Sequence, residues 1–491
     1  MTGSVSLLTT LLVAVIALCF SSQSVQGENV DAGKLSLFMA LHSHQDLAWL
    51  QTAESYFEGN AYGCTSCFYS DMTAFLTQHP QYKMLVVEVW FLKRWWEWSP
   101  GEERAAFRNL LENGQIEIVN GGMSTNDEAC IYHDHLIDQF TLGHQFLLKT
   151  FNITPHIGWS VDPFGHSAGH AWLLSKMGYD SLFLGRIHDK DKEARKINGQ
   201  MEFIWHPFND QKQQLFTHIL FNNYFEAPIW NNQQFCKYLL CNEQITNETM
   251  SAFLDFLTER KKASLTDNVF YAIGDDFAFS FSGEKDLNNV TIFMEKIKPS
   301  LKEFKFSGLG DYLKRVHESF IGNKNKGSKG QDLSTFTEDF FPHTSFEIMS
   351  GRLMPWTGFY TTKPVLKGLA YEAMRYLTSL RTLYAKILLS DSQASLLRRR
   401  NVWDQLYPLE EALAIISHHD GITGTSRAVV DDEDFYGRTI KAKKKVEEVY
   451  KVLVYEYLII YKDFPGASRK IFSSRKIKRT NGHFRDIRME K

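Results

Sequence analysis

The sequence predicts an α/β fold, an irregular, largely parallel and barrel-like β/α domain over residues 34–345, followed by a three-helix bundle over 364–462. Three observations carry this. Short apolar runs alternate with longer amphipathic segments from about Lys34 to Ile321, the pattern of a parallel sheet fed by crossover helices. Several of those runs end directly in Gly, Asn or Asp, where strands of such a domain hand over to functional loops. From Lys363 the apolar spacing changes to threes and fours, the period of a helix.

Taken in order, residues 1–27 read as a secretory signal. Leu7 to Phe20 is apolar, Ser21-Ser22-Gln23-Ser24 turns polar, and Val25-Gln26-Gly27 offers a small-residue cleavage site. The run is shorter than the roughly 20 residues of a spanning helix, so the expectation is a lumenal or secreted chain without a membrane span. Leu35–Leu41 is the first strand, and it leads into His42, His44 and Asp46, spaced two apart. Residues two apart on an extended chain face one side. Met84–Val89, Ile116–Val119, Ser181–Leu184 and Asn268–Ile273 are further strands. Asn120-Gly121-Gly122, Gly185-Arg186 and Gly274-Asp275-Asp276 each follow one of them. Gly322–Asp332 is a polar loop. Leu366, Leu369, Ala373, Leu377, Leu380, Tyr384 and Ile387 mark the first bundle helix. A second runs from the Pro408 region through Ile416 into Ser417-His418-His419-Asp420, with Gly421 as its end. A third spans about Asp432 to Ile460, and 463–491 reads as a basic, disordered tail.

The 491 residues carry a formal net charge of -3, which gives no general reason to expect nucleic acid or an anionic membrane as a partner. Of six cysteines, Cys19 lies in the signal. Cys236 and Cys241 are close enough to close a short disulfide loop in an oxidising compartment. Cys64-x-x-Cys67 could be a zinc or redox pair, but without a second such pair a local disulfide or two quiet thiols fits better. Asn152, Asn247 and Asn289 stand in glycosylation sequons.

Four segments hold the chemistry: His44-Gln45-Asp46, Asp162-Pro163-Phe164-Gly165-His166-Ser167, Gly274-Asp275-Asp276-Phe277, and His418-His419-Asp420-Gly421. Each alone has a plain structural reading, as a strand end, a turn, a helix cap and a helix C-terminus. Together they supply imidazole and carboxylate ligands suited to zinc, and the two further carboxyl roles that glycoside hydrolysis needs.

These segments carry a resemblance. His42-Ser43-His44-Gln45-Asp46-Leu47-Ala48-Trp49, Trp159-Ser160-Val161-Asp162-Pro163-Phe164-Gly165-His166-Ser167, Phe183-Leu184-Gly185-Arg186, Ile273-Gly274-Asp275-Asp276-Phe277 and His418-His419-Asp420-Gly421-Ile422-Thr423-Gly424-Thr425 resemble the motifs of glycoside hydrolase family 38, the class II α-mannosidases, and its lysosomal branch in particular. Asn126-Asp127-Glu128-Ala129 and Asp339-Phe340-Phe341-Pro342 are further landmarks in family order. The likeness covers about 35–450. It implies one zinc per chain held by His44, Asp46, Asp162 and His419, with His42 as structural support. It also implies Asp162 as nucleophile, Asp276 as acid and base, and mannose-containing glycans as substrate. Trp49 and Phe164 would be apolar walls, and Arg186, Tyr224, Asp275 and Asp420 would bind the sugar. Asp275 would raise the pKa of Asp276, and Cys236–Cys241 would match a disulfide loop of the lysosomal branch. Ala48 stands where the family has Gly, and Met123 where it has Trp. By this resemblance the chain stops after the helical middle domain, short of the family's β domains. The alternative reading is a zinc- and sugar-binding relative with weak or no turnover, or a fragment needing β domains from a partner.

Overall fold

The computed structural model describes residues 35–225, 246–280, 283–323, 327, 330, 332–347, 351–389 and 401–460. The signal segment, the Cys236–Cys241 loop and the basic tail lie outside the described residues.

Two five-stranded sheets form the α/β part. In the first, β1 (Ser36–His42) lies between β8 (Asn268–Ile273) on one edge and, on the other, both β9 (Glu303–Phe306) and β2 (Met84–Val86), which pairs in turn with β3 (Ile116–Ile118); every pairing is parallel. The second runs β10 (Ser334–Phe336), β6 (Glu202–Trp205), β7 (Leu215–Ile219), β5 (Ser181–Leu184) and β4 (Ile157–Ser160), with β6–β7 its antiparallel pair. The sheets meet where Asn120 N–H, just past β3, donates to the Ile157 carbonyl of β4 at 2.8 Å.

Strand alternation builds two layers from this arrangement. Phe38 and Ala40 of β1 point between the sheets, into a cluster with Leu85, Trp159, Phe183, Phe270 and Ala272. Leu37, Met39 and Leu41 point the other way, onto a shell that includes Tyr56, Phe68, Trp95, Phe107 and Phe293 from the flanking helices. The strand expected over 84–89 is shorter, because Glu88 stands as N-cap and Val89 opens the helix Val89–Trp98. β11 (Thr344–Glu347) and β12 (Arg352–Pro355) form a hairpin beyond the second sheet.

Cys64 and Cys67 are joined as a disulfide at the start of the helix Thr65–Gln78, the local disulfide expected for that pair. Ala48 is fully buried, and its backbone is not in the left-handed region, so its Cβ brings no strain. Met123 is buried in the outer core.

Pro364–Leu388, Tyr407–Ile416 and Arg438–Ile460 form the helical part around Leu377, Leu380, Leu409, Leu413, Val446 and Leu453. The third helix is preceded by a π-helical stretch, Asp431–Gly437. The second ends at Ile416, before the two histidines. His418 pairs with Asn126 in an isolated bridge and His419 N–H donates to the Thr125 carbonyl, so pairing with the α/β part draws the chain out of the helix. None of the described helices is long and apolar enough to cross a membrane.

Polar contacts also fasten the two parts. Arg381 reaches Asp138 Oδ2 of the helix His133–Phe151 at 2.5 Å and Glu410 Oε1 at 2.7 Å. Arg381→Ala leaves two shielded carboxylates without their cation. It should lower unfolding stability by about 2 kcal/mol, discounted for the partial exposure of the arginine. Urea denaturation against the unaltered chain measures this.

Candidate active site

The carboxyl ends of the strands converge on one place. β1 delivers His42, His44 and Asp46; β2 delivers Glu88; β4 delivers Asp162; β5 delivers Gly185 and Arg186; β7 leads to Tyr224; β8 leads to Asp275 and Asp276. Beyond the strand end, His44 still pairs in parallel with Asp276, donating N–H to the Asp275 carbonyl at 3.1 Å. Gly185 permits the next approach, since a Cβ there would sit 1.7 Å from the Val161 carbonyl oxygen.

His44, Asp46, Asp162 and His419 are all buried, and their ligand-type atoms lie within 4.8 Å of one another. His44 Nε2 is 3.0 Å from Asp46 Oδ1 and 3.4 Å from Asp162 Oδ2; His419 Nε2 is 2.9 Å from Asp162 Oδ2 and 3.3 Å from Asp46 Oδ1. His419 Nδ1 faces the Thr125 carbonyl at 2.8 Å. A carbonyl only accepts, so Nδ1 carries a proton and Nε2 is the nitrogen turned toward the carboxylates, the one a metal would take. Two imidazole nitrogens and two carboxylates of this kind fit zinc. A second four-residue group, Asp46, His418, His419 and Asp420, shares two members with the first.

Burial would keep the His44 and His419 imidazoles neutral. The adjacent carboxylates outweigh it and raise both pKa values well above the usual histidine range. Asp46 and Asp162 are held well below the carboxylate range against the same burial, Asp46 chiefly by His44 and Asp162 chiefly by Arg186. Arg186 Nε donates to Asp162 Oδ1 at 2.6 Å and to its carbonyl at 3.0 Å.

Asp276 behaves oppositely. Burial, then the negative charge of Asp46, and further on Asp162 and Asp275, push it up to about 7, while His44 opposes. Tyr224 Oη donates to its Oδ1 at 2.8 Å. Asp275 Oδ1 accepts the Asp276 N–H at 2.9 Å. Asp420 is also raised to about 7 by burial, and Thr425 Oγ1 donates to it.

His42 is outside the cage. Its Nε2 donates to the Tyr224 carbonyl at 2.9 Å, its ring lies 5.3 Å from that of Trp159, and burial lowers its pKa to about 3. It is a neutral brace for the Tyr224 loop. The Phe164 ring stands 5.9 Å from that of His419 and packs on Trp356 and Phe359. The Arg186 guanidinium lies over Trp356 at 5.3 Å. Trp49 is half-buried nearby in sequence, with its carbonyl accepting Arg427 N–H at 3.0 Å. Asn152 and Asn247 are exposed, at a helix C-cap and a helix start; Asn289 lies within the helix Gly283–Ile297.

Sequence reasoning missed several supports. Thr125 acts through its carbonyl, which leaves no mark in a sequence. Glu128 accepts from Ser160 Oγ at 2.6 Å, His166 Nδ1 at 2.9 Å and Ser167 N–H at 2.8 Å, so it brackets the turn that carries Asp162. It stood only as a landmark beside Asn126 and Asp127. Trp356 and Phe359 come from far along the chain, and no local period points to them.

Comparisons with known proteins bear on the family and the fold. The model of the glycosyl hydrolases family 38 N-terminal domain matches residues 34–345, and that of the alpha mannosidase middle domain matches 355–455. Alpha-mannosidase D of Dictyostelium discoideum is 31% identical over 435 residues, covering 83% of this chain and 34% of that protein. The lysosomal alpha-mannosidase of Cavia porcellus is 29% identical over 438 residues, covering 84% and 41%. The chain thus spans about two fifths or less of the length of these relatives. The crystal structure of an alpha-mannosidase from Enterococcus faecalis V583 superposes with a TM-score of 0.65 at 16% identity, over 87% of this chain and 43% of that one, which shows a shared fold.

Glu128→Ala strips partners from two side chains and a backbone N–H in the interior. Stability should fall by about 3 kcal/mol, the cost of buried polar groups left unpaired. The Asp162 turn should open to faster amide hydrogen exchange at residues 161–167 than at β8.

Proposed function

The chain belongs to glycosyl hydrolase family 38, and on that premise we propose that it is a zinc-dependent retaining α-mannosidase. It removes terminal α-linked mannose from glycans, in the lysosomal lumen or outside the cell. One observation carries the reading: the buried cluster of His44, Asp46, Asp162 and His419 shares its strand ends with Asp276, whose carboxyl Tyr224 Oη holds at 2.8 Å, and the surroundings lower the pKa of Asp162 while raising that of Asp276. Pairs pushed apart in this way divide nucleophile from acid.

His44, Asp46, Asp162 and His419 would hold the zinc, which when bound supplies positive charge to orient sugar hydroxyls and offset the carboxylates. Asp162 attacks the anomeric carbon while Asp276 gives its proton to the leaving oxygen, so the glycosidic bond breaks as a glycosyl ester forms on Asp162. Asp276, now ionised, takes a proton from water. The hydroxide equivalent attacks the same carbon and releases Asp162, and two inversions leave the configuration retained. Arg186 fixes the Asp162 carboxylate by binding Oδ1. Tyr224 occupies Oδ1 of Asp276, which leaves Oδ2 to carry the transferred proton. Phe164 and Trp49 give the sugar apolar walls, and Asp275 and Asp420 hold hydroxyls.

Hydrolysis of an aryl α-mannoside by the purified chain tests this. Asp162→Asn should cost at least about a thousandfold in kcat, because the ester cannot form, and should also weaken zinc retention. Asp276→Ala should cost about 10²–10⁴-fold with zinc retained, and less for a dinitrophenyl leaving group that needs no proton. Near-normal rates in both variants would overturn the role assignment. A folded, zinc-loaded chain that binds mannose without turnover would be a binding relative instead.

Metal removal is a separate check. Dialysis against a chelator should abolish turnover, and added zinc should restore it. Unchanged rates with less than a tenth of the metal left would contradict zinc dependence.

A further inference from the structure

A second pocket lies on the far side of the aromatic wall that backs the cage. Cys130, Tyr132, Tyr360, Lys367, Gly368 and Tyr371 line a cavity of about 300 Å³ at the seam between the α/β part and the first bundle helix. Phe359 separates the two places. Its ring packs 5.3 Å from Phe164, and its carbonyl accepts from the Cys130 thiol at 3.4 Å.

The lining has an unusual composition. Tyr132 and Tyr371 are 49% and 40% exposed, yet their rings stand 4.7 Å apart at 34° as a pair at the mouth. Tyr360 lies behind them against Phe359, 4.6 Å between rings. Lys367 Nζ donates to the carbonyls of Thr362 and Thr423, which uses two of its three N–H groups. A Cβ on Gly368 would meet nothing within 4 Å, so the helix surface is recessed there. Among the described residues, no carboxylate lines the cavity.

A pyranose presents one apolar C–H face and a rim of hydroxyls. The half-exposed ring of Tyr132 matches the face, and phenol and ammonium groups match the rim. Without a carboxyl pair such a pocket can bind a sugar but cannot cleave it. We infer that this pocket is a second, non-catalytic sugar-binding site, which takes a pyranose residue of the glycan. The inference rests on the glycan reading of the cage.

Fluorine NMR of the full chain, labelled with 3-fluorotyrosine and titrated with methyl α-D-mannopyranoside, tests it. Single Tyr→Phe variants assign the resonances, and Tyr224 reports the cage independently. The resonances of Tyr132, Tyr360 and Tyr371 should shift saturably. Gly368→Leu fills the recess with a better helix former; it should weaken those three responses at least tenfold and leave that of Tyr224 unchanged. Pocket tyrosines that stay silent, or that respond equally in Gly368→Leu, would overturn the second site. Pocket tyrosines that respond while Tyr224 does not would uphold it and count against the cage as the mannose site.

Discussion

Asp46 and Asp162 share one buried space, and most of the structure around them can be read as what makes that tolerable. Taking a carboxylate out of water costs several kcal/mol, and two side by side repel as well. His44 and His419 stand between them and Arg186 grips the outer oxygen of Asp162. These partners come from β1, from the loop after β5 and from the turn beyond a bundle helix, so the cage exists only when two parts of the chain are docked. The strand-like run 125–128 does the docking. Thr125 orients His419, Asn126 pairs with His418, Asp127 N–H donates to the Ser417 carbonyl, and Glu128 braces the Asp162 turn.

The same electrostatics pulls the pKa values of the carboxyl groups apart. Cationic neighbours surround Asp162, whereas Asp276 faces Asp46, Asp162 and Asp275 with a single tyrosine hydroxyl as donor. Proximity to one charged cluster therefore lowers the pKa of one group and raises that of the other. His42, though in the same motif as His44 and Asp46, ends up neutral because its partner is a carbonyl and its surroundings are aromatic.

Much of this was legible in the sequence, for identifiable reasons. β5 and β8 fall on Ser181–Leu184 and Asn268–Ile273 as their apolar runs indicate, because buried parallel strands need continuous apolar residues. His44, Asp46, Asp162 and His419 were named through the resemblance of their motifs to a family, not through spacing alone, and the structure gathers the four in one buried cluster. What could not be read was set by tertiary pairing. The helix before His418 ends early because residues 125–127 compete for its backbone. Met84–Val89 was too long a strand because Glu88 caps a helix. The supports at Thr125, Trp356 and Phe359 act through a carbonyl or through packing across hundreds of residues, and neither leaves a local pattern.

The central claim is that Asp162, held inside the cage, forms a bond to the sugar. Incubation of the zinc-loaded chain with a fluorinated mannosyl fluoride, whose glycosyl ester hydrolyses slowly, followed by intact-mass and peptide mass spectrometry, tests it directly. The account predicts one added fluoromannosyl group per chain, located on Asp162. Label on Asp276 or elsewhere, or steady release of fluoride with no adduct and inverted product, would contradict it.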